Sequence, residues 1–74
     1  MYVRVKYRKE ELGGYGGREY TFISDIPVQP HQKVLVESAD GDMKQAIVTE
    51  INVPETEIDP SWAYKLKKIW WYDE

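Results

Sequence analysis

An all-β fold is what this 74-residue sequence predicts, and two observations lead to it. Residues Tyr2 to Arg8 alternate strictly, Val3, Val5 and Tyr7 against Tyr2, Arg4, Lys6 and Arg8, which is the period of a half-buried strand. Further short runs of Val, Ile, Tyr and Trp recur between Gly, Pro and Asp breakers, with aromatic residues at 14% of the chain. The length is that of a single domain, residues 1–74. Zero Cys excludes a disulfide scaffold and thiolate zinc sites, and a single His leaves too few imidazoles for a catalytic zinc set, so neither metal nor cofactor is expected. A chain this short buries only about 60% of the surface exposed when unfolded, and its core must hold the fold unaided. No apolar run approaches the ~20 residues of a membrane span, and Met1 to Arg8 lacks a signal-like apolar stretch, so a cytoplasmic protein is expected.

After the first strand, Lys9 to Arg18 holds Gly13, Gly14, Gly16 and Gly17 around Tyr15, which predicts a flexible loop. Glu19 to Ser24 returns to β-formers, with Tyr20 and Phe22 on one face. Pro27 and Pro30 make the next stretch a connector. Lys33 to Glu37 is a short strand, joined through Ala39-Asp40-Gly41-Asp42 by hairpin-type turn chemistry to Met43 to Val53, the longest strand candidate, which Pro54 ends. Asp59-Pro60-Ser61-Trp62 places an N-cap residue before proline, the start signal of a helix. Ile58, Trp62, Leu66 and Ile69 are spaced for one helical face, while Ile69 to Tyr72 prefers a strand; a helical turn followed by a strand accommodates both. This order is that of a small five-stranded SH3-like barrel with a short helical turn before the last strand. Its expected core is Val3, Val5, Tyr20 or Phe22, Val34, Val36, Ile47, Ile51, Leu66 and Ile69.

The residues Arg18-Glu19-Tyr20-Thr21-Phe22, then Asp25, then Val28 to Val36, then Gln45 to Val53 resemble a pattern of small phage- and prophage-type bacterial proteins of uncharacterised role. That pattern runs from a Tyr-Thr-aromatic strand through Asp, an apolar-x-x-Gly-Asp turn and a Val-rich strand to an Ala-x-Val strand. This chain departs from it at the turn, where His31-Gln32 stand in place of Gly-Asp. Glu19 to Ile51 is also loosely similar to the N-terminal DNA-binding domain of the primosomal helicase N′. The resemblances imply a fold and a phage or prophage origin, and no catalytic site.

The chemistry-bearing residues support few catalytic readings. The glycine cluster lacks both P-loop and dinucleotide spacing. Asp40, Gly41 and Asp42 lack the further ligands of a calcium loop. His31, between Pro30 and Gln32, has no placed partner, so no catalytic residue is expected and the chain is not read as an enzyme. Tyr15, flanked by glycines, either contacts a partner or folds back over the domain. Adjacent Trp70 and Trp71 point to opposite faces of a regular strand, so one enters the core and the other points outward, with Tyr72 beside Trp70; the segment from Ile58 to Tyr64 is the expected cover for the outward one.

These features favour a non-enzymatic binding module that meets a protein partner through Tyr15, Trp70, Trp71 and Tyr72, as a monomer or weak homodimer. The alternative is a single-stranded nucleic-acid binder. If the terminal strands pair, Arg4, Lys6, Arg8, Lys9, Lys65, Lys67 and Lys68 share one side with stacking aromatics; Arg4, Lys6, Arg8, Lys67 and Lys68 are its candidates for phosphate. Against it, residues 21 to 64 carry Lys33 and Lys44 against eight acids, and the whole chain has a net charge of -3.

Overall fold

The computed structural model describes residues 1–38, 40–63 and 65–73, without the side chains of Leu12 and Trp62. Five strands, β1 (Tyr2–Lys9), β2 (Gly14–Ile23), β3 (Lys33–Glu37), β4 (Met43–Glu50) and β5 (Ile69–Tyr72), form one antiparallel sheet in the order β2-β1-β4-β3-β5. One helical turn, α1 (Pro60–Ala63), precedes β5 as expected. The Asp59 carboxylate caps it, accepting the Ser61 backbone N–H at 3.0 Å, and Pro60 at the first helical position has no N–H to leave unpaired. No helix among the described residues is long and apolar enough to cross a membrane.

The core lies on the inner face of the sheet. Val3 and Val5 of β1, Phe22 of β2, Val34 and Val36 of β3, Ala46 and Val48 of β4 and Ile69 of β5 meet there, with Val28 from the connector. Register corrects one inward residue. Val5 opposes Val48 and Tyr7 opposes Ala46, which turns Ile47 to the outer face opposite Lys6. Ile51 packs partly against the core, and Leu66 is only half-buried. Phe22 takes the core position at 4% exposure; Tyr20, on the same face, is 42% exposed and lies against Tyr7 with ring centroids 5.0 Å apart.

The glycine-rich segment is not a loop. Gly13 closes the turn after β1 at a φ of 68°, and β2 then runs from Gly14 as the longest strand, longer than β4. Between the pairs Lys6–Glu19 and Arg8–Tyr15, β1 advances two residues and β2 four, so the glycines carry a bulge, with Gly17 at a φ of 83°. Backbone freedom here serves a paired strand.

His31, where the phage-type pattern has glycine, adopts a φ of 72° and donates its N–H to Val48 O at 2.7 Å. Left-handed backbone costs a non-glycine residue roughly 1 kcal/mol or more, and glycine's extra unfolded-state entropy offsets part of that gain. His31→Gly is therefore expected to leave stability unchanged or raise it, by up to about 1 kcal/mol, read from urea midpoints at constant m. A loss greater than about 1 kcal/mol would mean that the imidazole makes an interaction this geometry does not contain.

Candidate functional site: an aromatic-edged row on the outer sheet face

The terminal strands do not pair, because β1 lies between β2 and β4 while β5 pairs with β3. The expected side of seven cations is thereby broken up. The last strand reaches β2 only at its start, through a parallel bridge between Ile23 and Lys68 and the Ile23 N–H donated to Lys67 O at 2.9 Å. Lys67 and Lys68 thus sit at the end of β2.

In β5 the ladder shifts: Ile69 opposes Val36, Trp71 opposes Leu35 and Tyr72 opposes Val34, leaving Trp70 as an extra residue. This bulge overturns the expectation that one Trp enters the core. Ile69 and Tyr72 turn inward, and Trp70 and Trp71 are both outside, at 63% and 52% exposure. Tyr72 packs against the core with Trp71, not Trp70, on its ring edge at 5.2 Å, and its hydroxyl donates to Pro27 O at 2.5 Å. The proposed cover from Ile58 to Tyr64 depends on Tyr64 and the Trp62 side chain, which lie outside the described residues.

Following the register across the sheet assembles a site. Tyr15 of β2 opposes Arg8 of β1; one step beyond the Tyr7–Ala46 pair, Arg8 meets Gln45 of β4; Gln45 opposes Leu35 of β3; Leu35 opposes Trp71 of β5. Paired residues share a face, so Tyr15, Arg8, Gln45, Leu35 and Trp71 form one row over all five strands, four strand spacings or about 19 Å long when followed along the sheet. Side-chain bonds tie the row: Arg8 Nη1 donates to Gln45 Oε1 at 2.7 Å, and Gln45 Nε2 donates to Asp73 Oδ2 at 2.9 Å. Tyr15 is consequently not a loop tip but a half-buried strand residue, beside a depression of about 360 Å³ that Arg8, Gln45, Lys33, Asp73, Gly13 and Gly14 also line.

The cations around the row are largely answered by acids. Arg4 lies 3.4 Å from Glu50 and 3.4 Å from Glu57. Lys6 opposes Glu19. Asp73 follows the Val34–Tyr72 pair and donates its N–H to Lys33 O at 3.1 Å, which sets Lys33 and Asp73 opposite one another. Lys68 pairs with Asp25 at 2.8 Å, and hydrogen bonding to that ammonium holds the Asp25 carboxyl below its usual value. Arg8 alone among the named candidates on the outer face has no acid opposite it in register.

Gln45, Leu35, Lys33 and Asp73 belong to the site but carry no sequence signal of their own, since only strand pairing brings them to Arg8. Among the described residues no three His, Cys, Asp or Glu side chains gather as metal ligands, and His31 is an exposed turn residue. Comparison with protein-family models, with curated proteins and with solved structures finds no match for this chain.

Proposed function

We propose that this chain is a non-enzymatic binding module and that its partner is a protein, met by the outer face of the sheet. The observation that carries the proposal is the single row of Tyr15, Arg8, Gln45, Leu35 and Trp71, with Trp70 displaced beside it by the bulge. Tyr, Trp and Arg are the residues that dominate protein interfaces, and here they are held on rigid strands instead of loops. The charges of the face answer one another, which suits a mixed polar and aromatic surface better than a polyanion. A small SH3-like barrel belongs to the same proposal. The helical turn before the last strand and the Ile23–Lys68 bridge support it, while the pairing of β1 with β4 departs from a barrel joined through its terminal strands. The phage or prophage setting and a cytoplasmic location rest on the sequence resemblance and composition.

Titration of labelled single-stranded and duplex oligonucleotides, followed by Trp fluorescence at low and physiological salt, separates protein from nucleic acid. The expected result is no saturable quenching at micromolar protein in either salt. Saturable quenching that weakens with salt, by roughly 0.7 power of concentration per phosphate neutralised, would instead establish the single-strand alternative. Selection from a displayed library of random dodecapeptides is the positive test, with enrichment on the wild-type protein and none on Trp71→Ala. Equal enrichment on both would place the binding surface elsewhere.

A further inference from the structure

Arg8 is held in place by a neutral amide. Asp73 Oδ2 accepts the amide N–H of Gln45, which turns the amide oxygen toward Arg8 and fixes Nη1 at 2.7 Å. A guanidinium carries five N–H donors in a rigid fork, so the edge formed by Nε and Nη2 remains, and no carboxylate among the described residues lies within ion-pair distance of it. That cation lines the depression of about 360 Å³ together with Lys33, beside Tyr15. It is a preorganised, one-sided cation beside an aromatic ring.

We infer that this depression takes one carboxylate, an Asp or Glu side chain presented by the protein partner. The Nε/Nη2 edge of Arg8 grips it bidentately, Lys33 offsets the Asp73 carboxylate at the rim, and Tyr15 packs on its aliphatic stem. The inference rests on the protein-binding proposal and names the chemistry that face selects. A carboxylate fits better than a phosphate monoester because the Asp73 carboxylate lines the same depression and would repel a dianion more than a monoanion. The row also offers one unanswered cation, where a nucleic-acid strand presents a phosphate at every nucleotide.

The test uses small probes on the isotope-labelled intact chain: N-acetyl-glutamate α-amide, its neutral counterpart N-acetyl-glutamine α-amide, and methyl phosphate. Chemical shifts of Arg8 Nε–H, the Gln45 side-chain amide and the Tyr15 backbone are followed. The carboxylate probe is expected to give saturable millimolar shifts at all three and the glutamine analogue none. Arg8→Gln is expected to weaken binding at least tenfold, and Arg8→Lys, which keeps the charge but loses the fork, to recover only part of it. Shifts of equal size with the neutral probe, or binding that survives Arg8→Gln, would overturn the inference. Tighter binding of methyl phosphate than of the carboxylate would overturn it as well. If the probes fail while Trp71-dependent peptide capture persists, the carboxylate subsite is wrong and the binding module stands; if both fail, both are wrong.

Discussion

Replacing Phe22 with alanine is expected to remove about 3–5 kcal/mol of stability, the usual cost of emptying a buried aromatic site. A domain of this size has roughly 4–11 kcal/mol in total at the common per-residue values, so the loss is a large fraction of the whole. Phe22 is 4% exposed, opposes Val3 across the β1–β2 ladder, and meets the Tyr7 ring edge-on at 6.3 Å. With no cysteine to form a disulfide, nothing covalent limits the loss. Urea unfolding followed by circular dichroism measures it. Tyr20→Ala is the comparison, since Tyr20 shares the face but is 42% exposed and should cost closer to 1 kcal/mol. Equal losses at the two positions would contradict the core described here.

Trp71→Ala is expected to do the reverse, weakening partner binding by about 2 kcal/mol or more, some thirtyfold, while stability changes by less than about 1 kcal/mol. Trp71 is half exposed, ends the cross-strand row opposite Leu35, and touches Tyr72 by a ring edge. Its removal takes away contact area without opening a cavity. Titration calorimetry with a selected peptide gives the affinity, and thermal unfolding of the free protein gives the control. A variant that binds as well as wild type would remove Trp71 from the interface, and a large fall in melting temperature would make it a structural residue.

Local signals in the sequence foretell the first strand, the Asp40-Gly41 turn, the capped helical turn and the final strand, because alternation, turn chemistry and capping act within a few residues. Ser38, Gly41 and Asp42 show this, with the Ser38 N–H donated to Asp42 O at 2.8 Å and Gly41 at a φ of 87°. The glycine segment misleads because conformational freedom does not say whether a pairing strand lies alongside. The Trp pair misleads for a related reason: strict alternation predicts opposite faces, and a bulge suspends alternation at one residue. The single basic side does not form because the terminal strands do not pair, and Glu19, Glu50, Glu57 and Asp73, distant in sequence from the cations they face, reach them only through the sheet order. Tyr15 and Trp71 are legible as aromatic candidates, and Arg8 as a cation. Their alignment required the register.

The extra residue in β5 has an evolutionary side. Ile69 and Tyr72 keep their inward partners Val36 and Val34 whether or not position 70 is occupied, since Trp71 already opposes Leu35. Loss of a residue elsewhere in a strand would exchange inside for outside along its length. Position 70 can therefore vary in identity, or disappear, without disturbing the interior. A lineage carrying this fold can broaden or narrow its outer surface through single-codon insertions and deletions there, leaving the packing that keeps it folded outside the reach of that selection.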